Sequence, residues 1–166
     1  MSDELPDSVV VGAVGEPGQR TFLLQVRQSG TLITVIVEKQ QVAELSQVAF
    51  ALLAELGQLR LAQELIRSEG GVPLPHFEAD EPLFRVSSFE LGFDSDANLV
   101  ILAARPDEDD VEPLRLQLSL TELGRLATQG AESVARGRPI CPICGLPMEA
   151  DGHICPAVNG HRPRTA

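Results

Sequence analysis

The sequence contains no tryptophan and no tyrosine, and only six phenylalanines among its 166 residues. Single-stranded nucleic acids usually stack on aromatic side chains, so this mode of binding has little support here. No apolar run approaches the ~20 residues that a membrane-spanning helix needs. The first eight residues, MSDELPDS, are acidic and polar, unlike a signal peptide. We therefore expect a cytoplasmic protein with no membrane segment.

Positive charge is also scarce. The 13 lysines and arginines are outnumbered by 24 acidic residues, which gives a formal net charge of −11. Residues 131–166 hold four arginines against three acidic residues, a net +1, so residues 1–130 carry −12. An acidic surface repels phosphate backbones. Nucleic acid is therefore not the expected partner, and we expect a protein partner instead.

Cysteine occurs only three times, always within the segment RPICPICGLPMEADGHICPAVNG near the C-terminus. Clustered cysteine and histidine in a reducing compartment indicate a metal site rather than a disulfide framework. Zinc takes four nitrogen or sulfur ligands, and a Cys-x-x-Cys turn supplies two of them. The predicted ligands are Cys141, Cys144, His153 and Cys155, with His161 as an alternative to His153. A segment too short to build its own hydrophobic core needs a cross-link in order to fold. We therefore expect a structural zinc.

A redox-active thiol pair is the alternative chemistry for Cys141 and Cys144. Thioredoxin-like pairs lie at a strand-to-helix junction in a βαβ unit. Here the pair instead follows a predicted helix and a Gly-Arg-Pro linker. Zinc binding is the favoured interpretation.

Hydrophobic periodicity predicts a strand–helix order that occurs twice along the chain. In the first half we predict strands at 8–14, 20–28 and 31–37, then a helix at 38–56. Gly57 is a predicted stop or kink, with 58–68 as a continuation of that helix. In the second half we predict strands at 83–91, 98–105 and 114–118, then a helix at 119–135. Ser119 and Glu122 have the spacing of a capping box at its start.

The two halves align at a spacing of 81 residues, with Val37 matching Leu118 and Val42 matching Leu123. Chance similarity between two amphipathic strand–helix junctions is the alternative explanation. We predict an α+β fold, an antiparallel sheet or sheets with two helices, as a domain of residues 1–136. A duplication would consist of βββα repeats at 8–68 and 83–136, two similar sheets with one helix each. Residues 137–166 would form the zinc knuckle and tail.

Four segments resemble a bacterial family of unknown function with a zinc-binding-like segment, C-P-x-C-G-x-P…G-H-x-C-P, at its C-terminus. They are VGAVGEPGQRTFLLQ, VEKQQV, FRVSSFELGFD and the cysteine segment. The resemblance spans about residues 10–162. It implies a shared pattern that consists of Cys141, Cys144, Gly152, His153, Cys155, Asn159 and Gly160. It favours His153 over His161 as the fourth ligand. Ala157 stands where the family usually has a basic residue, which weakens a phosphate-binding role.

The leading functional hypothesis is a non-enzymatic adaptor or regulator, because no nucleophile motif or phosphate-binding loop is present. A second hypothesis is an enzyme with a site between the two halves, near Glu38 and Lys39 and aided by Arg20 or Arg85. A third is nucleic-acid binding through the arginines that flank the knuckle, which are Arg136, Arg138, Arg162 and Arg164.

Overall fold

The structure is a computed structural model, and it describes residues 4–16, 18–136, 141–146, 148 and 153–158. Along the chain, three strands are followed by two helices, then by three more strands and one helix. They are β1 (Ser8–Val14), β2 (Thr21–Gln28), β3 (Thr31–Val37), α1 (Lys39–Glu55), α2 (Leu59–Ser68), β4 (Phe84–Asp94), β5 (Leu99–Pro106), β6 (Leu114–Leu118) and α3 (Leu120–Ala135). A short 3₁₀ turn, Pro156–Val158, lies in the cysteine segment.

The six strands form one sheet in the order β1-β2-β3-β4-β5-β6. Strands β1 to β3 and strands β4 to β6 are antiparallel meanders. The meanders join through a short parallel pair, in which Val35 and Ile36 of β3 lie beside Phe84 and Arg85 of β4. The predicted α+β class is therefore confirmed. The two halves share a single sheet, so the version of the duplication with two separate sheets is wrong.

Gly57 lies between α1 and α2, in agreement with the prediction that it stops or kinks the first helix. Its φ of +68° is a conformation that favours glycine. The two helices are bent by 112°. The described residues thus contain three helices rather than two. Among them, no single helix is long and apolar enough to cross a membrane, and only α1 and α2 together, as a bent pair, pass that test by length and composition.

The helices pack on one face of the sheet. Helix α1 buries residues at spacings of three and four, among them Val42, Leu45 and Ala49. Helix α3 approaches α1 closely at Gly130 and α2 closely at Gly124. A Cβ on Gly130 would come within 2.5 Å of Ser46 Oγ, and one on Gly124 within 3.1 Å of Ala62 Cβ on α2. Small residues on α3 therefore allow three helices to share one core.

The other face of the first meander is crossed by residues 72–83, which we call the strap. Side chains alternate between the two faces of a strand, so Gly12 and Gln25 lie on the face opposite to the core residues Val11 and Leu24. Pro75 lies so close to Gly12 that a Cβ there would be 2.6 Å from Pro75 Cγ. Further along the strap, Glu78 lies at β2, where its backbone N–H donates to Gln25 Oε1 at 2.9 Å. The strap thus carries the chain back across the meander to β4.

Candidate metal centre

The first two cysteines lie in one tight turn. The backbone N–H of Cys141 donates to the carbonyl of Leu146 at 2.8 Å, and the N–H of Gly145 donates to the carbonyl of Cys141 at 2.9 Å. Gly145 has a φ of +72°, which explains why glycine follows Cys144. The Cys-x-x-Cys-Gly pattern therefore folds as a knuckle that directs both sulfurs to one point.

Backbone hydrogen bonds and burial shift the pKa values of these two thiols in opposite directions. Hydrogen bonds from the backbone of Cys144 and of Ile143 lower the pKa of Cys141 to about 6. Burial raises the pKa of Cys144, although the backbone N–H of Leu146 acts in the opposite direction. Without a metal, the turn therefore favours the thiolate form of Cys141 but not that of Cys144. A nearby cation would favour ionisation of the second.

The second pair of side chains completes a cluster of four. The candidate ligand atoms of Cys141, Cys144, His153 and Cys155 all lie within 4.8 Å of one another. Cys141 Sγ is 3.9 Å from Cys155 Sγ, and Cys144 Sγ is 3.1 Å from His153 Nε2. Sulfurs bound to one tetrahedral zinc at ≈2.3 Å are about 3.8 Å apart, so the donor set fits such an ion. This Cys₃His group could therefore hold a metal ion.

Burial differs across the cluster. Cys141 and Cys155 are buried, whereas Cys144 and His153 are half-buried. All three cysteines are free thiols in this structure. The cluster therefore has two shielded sulfurs and one side closer to solvent. The alternative ligand His161 lies outside the described residues, as do Gly152, Asn159 and Gly160.

Of the four polar groups considered for an enzyme site, Glu38, Arg85 and Arg20 make contacts within the fold. Glu38 forms an exposed ion pair with Arg85. Lys39 is exposed at the start of α1. Arg20 donates to the backbone carbonyl of Ser133 on α3 at 3.2 Å and lies over the ring of Phe22. These contacts join β4 to the start of α1, and the residue before β2 to α3.

Only one of the four flanking arginines is in the described part of the chain. Arg136, which follows α3, lies 3.4 Å from Glu132 one turn earlier. Arg138, Arg162 and Arg164 lie outside the described residues. The arginine cluster predicted around the knuckle therefore remains a prediction.

A groove between α1 and β4 was not predicted. It has a volume of about 220 Å³, and its lining residues are Gln41, Glu44, Leu45, Val48, Ser87, Ser88, Phe89 and Leu91. A β-bulge interrupts β4 beside it, between Val86 and Ser88. Gln41 Nε2 donates to the carbonyls of Val86 and Ser87 at 3.0 Å, which ties α1 to the bulge. Two adjacent serines in a strand were the only sequence sign of this irregularity.

The fold and the cluster define a class, small α+β proteins with a C-terminal Cys₃His group. A family model described as protein of unknown function (DUF3090) matches residues 3–155, and the chain belongs to that family. The matched region includes all four residues of the cluster and confirms the expected membership of a family of unknown function. Comparison with curated proteins finds no match, and comparison with solved structures finds none.

Proposed function

We propose that the protein is a zinc-binding adaptor or regulator that acts through contact with another protein. Cys141, Cys144, His153 and Cys155 would hold one Zn²⁺ ion. The observation that carries this proposal is the convergence of these four side chains, whose ligand atoms lie within 4.8 Å of one another. The ion would stabilise the fold of the C-terminal segment.

The donor chemistry supports zinc over other cations. Calcium and magnesium prefer oxygen ligands, whereas thiolates and imidazole suit zinc and iron–sulfur clusters. Iron–sulfur clusters commonly use four cysteines, and this group has three cysteines and one histidine. Cys₃His is a familiar set for structural zinc.

A structural role is supported by the number of ligands. Four protein side chains fill a tetrahedron, whereas a catalytic zinc keeps one position for water or substrate. The two buried sulfurs, Cys141 and Cys155, also leave little room for a substrate on their side. A non-enzymatic role is further supported by Glu38, Arg85 and Arg20, which make contacts within the fold.

Metal content is the first test, on protein purified without a histidine tag. Elemental analysis should find one zinc per chain, and a thiol reagent should find all three cysteines protected until a chelator is added. Protein without metal, in which Cys141 and Cys144 react freely, would overturn the proposal and favour a redox pair.

Three histidine variants then identify the fourth ligand. His153→Ala should lower zinc affinity by at least tenfold, because imidazole is lost from the first coordination shell. His76→Ala, in the strap, is the matched control and should keep full zinc content. His161→Ala should behave like the control. If it instead loses zinc while His153→Ala retains it, the ligand assignment is wrong.

A further inference from the structure

Strand β4 is much longer than the contact it makes with β3. Of its residues from Phe84 to Asp94, only Phe84 and Arg85 lie beside β3, which ends at Val37. On the other side, β5 pairs with β4 as far as Asp94, and no other described strand borders β4. We call residues 88–94 the free edge. Alternate residues there direct their N–H and C=O groups away from β5, with no strand to receive them.

The fold leaves the free edge able to pair. Just before it, the side chain of Gln41 donates to the backbone carbonyls of Val86 and Ser87. The free edge itself contains no lysine, arginine or proline, the residues that commonly prevent strand edges from pairing. Its Glu90 is bound to Arg105 of β5. An edge in this state can accept a further strand.

The groove between α1 and β4 lies along the free edge. Phe89 and Leu91 of the free edge line one side of it, and Leu45 and Val48 of α1 line the other. Val48 is 53% exposed, so this apolar surface is open to solvent. The volume of about 220 Å³ is below the roughly 300–1,000 Å³ of small-molecule pockets. The groove therefore suits side chains that project from a strand along its rim better than a whole small molecule.

Charge indicates which kind of strand fits. Glu44 is the only charged residue of the groove lining, and it is exposed. Its carboxylate accepts from Gln40 Nε2 at 2.9 Å, and within the described chain it forms no ion pair with a lysine or arginine. Residues 1–130 carry a net −12. A basic residue would be attracted to Glu44, whereas the edge of a second acidic copy would be repelled.

We propose that the free edge of β4 binds an extended segment of another protein, which adds to the sheet as a strand. Backbone hydrogen bonds to β4 provide affinity in this mode of recognition. Apolar side chains at every second position of the segment enter the groove, and a lysine or arginine pairs with Glu44. This inference rests on the adaptor role proposed above, for which it names the contact surface and the class of partner. It does not depend on the metal.

Selection from a library of random peptides of about eight residues, a usual strand length, tests the proposal on the full chain. Wild type should enrich peptides with apolar residues at alternate positions and one lysine or arginine. Val48→Glu should bind the enriched peptide at least about tenfold more weakly, because it places a carboxylate in the apolar groove. Leu61→Glu is the matched control and should bind like wild type, since Leu61 is also 53% exposed but lies outside the groove lining. Failure to enrich such peptides, or enrichment of peptides with a helical apolar period, would overturn the proposal.

Backbone N-methylation of the enriched peptide distinguishes strand addition from other modes of binding. A strand at the edge of a sheet directs only alternate N–H groups at its neighbour. Methyl groups on one alternating set should weaken binding at least about tenfold, and methyl groups on the other set less than about twofold. Equal binding of the two methylated peptides would show that no strand is added.

Reversal of the charge at Glu44 tests the specificity. Glu44→Lys should bind a peptide with glutamate in place of its basic residue more tightly than wild type does. If Glu44→Lys keeps the preference for the basic peptide, the assignment of Glu44 is wrong.

Zinc analysis and the mass in solution of the same samples separate this inference from the proposed function. Protein with one zinc per chain that enriches no peptide overturns the docking proposal and leaves the zinc site standing. Protein that enriches the expected peptides but holds no zinc overturns the zinc assignment and leaves the docking proposal standing. Wild type that is dimeric, when Val48→Glu is monomeric, would show that a second copy occupies the free edge, which overturns the proposal.

Discussion

Gln129 of α3 accepts a hydrogen bond from the backbone N–H of Val11 on β1, with 2.9 Å between N and Oε1. Its Nε2 donates to the carbonyl of Pro73 in the strap at 3.1 Å. β1 is an outer strand of the sheet, so its outward backbone groups have no strand beside them. One buried amide therefore links the sheet edge, α3 and the strap.

Gln129→Ala should lower the free energy of unfolding by about 1–3 kcal/mol, because it leaves a buried N–H of Val11 without its acceptor. Urea unfolding followed by circular dichroism measures the change. Gln47→Ala is the matched control, since Gln47 is an exposed glutamine within α1. That variant should stay within about 0.5 kcal/mol of wild type. Equal stability of the two variants would argue against a structural role for the Gln129 bonds.

Gly130→Ala tests the close approach of α3 and α1. Alanine normally stabilises a helix interior by about 1 kcal/mol relative to glycine. Here the added Cβ would lie 2.5 Å from Ser46 Oγ and 3.1 Å from Val42 Cγ1, so crowding should outweigh propensity. We expect a net loss of about 1–3 kcal/mol in unfolding free energy, measured by urea titration.

A second substitution separates crowding from other causes. Ser46→Ala removes the oxygen that the new Cβ would meet, so the double variant should recover part of the loss. A Gly130→Ala protein more stable than wild type would show that the helices can separate without cost.

Local patterns were sufficient to predict the secondary structure. The 3.6-residue period of α1 and the two-residue period of β6 each reflect burial on one side of an element, so they are visible in sequence. Some helices and strands begin or end a few residues from their predicted bounds. β4, for example, continues to Asp94 because it pairs with β5 as far as Leu99. The four clustered site residues were also predicted, since they lie within 15 positions of one another.

Contacts between distant segments were not predictable. The parallel pair of β3 and β4 depends on where the strap leads the chain, which no local pattern encodes. Gln25 and Gln129 are buried, although glutamine is usually exposed, because each bonds to a backbone far away in sequence. The α1–β4 groove lies beside a bulge in β4, and a bulge has only a weak sequence signature.

Thr34→Val should loosen the strap. The Thr34 hydroxyl accepts from Gln25 Nε2 at 2.9 Å and donates to Asp80 Oδ2 at 2.7 Å, and Thr34 is buried. Valine has nearly the same shape but neither bond. We expect faster proteolysis within residues 72–83 and a loss of about 1–3 kcal/mol in unfolding free energy.

Thr31→Val provides the comparison for that experiment. Thr31 is an exposed residue at the start of the same strand. It should change neither the cleavage rate nor the stability, because valine suits a strand as well as threonine does. If both variants are cleaved at the wild-type rate, the strap is held by contacts other than the Gln25–Thr34–Asp80 chain.

Chelation should unfold the cysteine segment and leave the α+β body intact. The main apolar core consists of residues from Val11 to Ala127 and includes none of the residues of the cysteine segment that the structure describes. Hydrogen exchange should therefore become fast at the amides of Cys141 and Gly145, whose bonds close the knuckle turn. Amides of Leu24 and Leu102, which are fully buried, should remain protected, and the helical circular dichroism should not change. If the body also loses protection, the boundary near residue 136 is wrong, because metal binding would then be coupled to the folding of the whole chain.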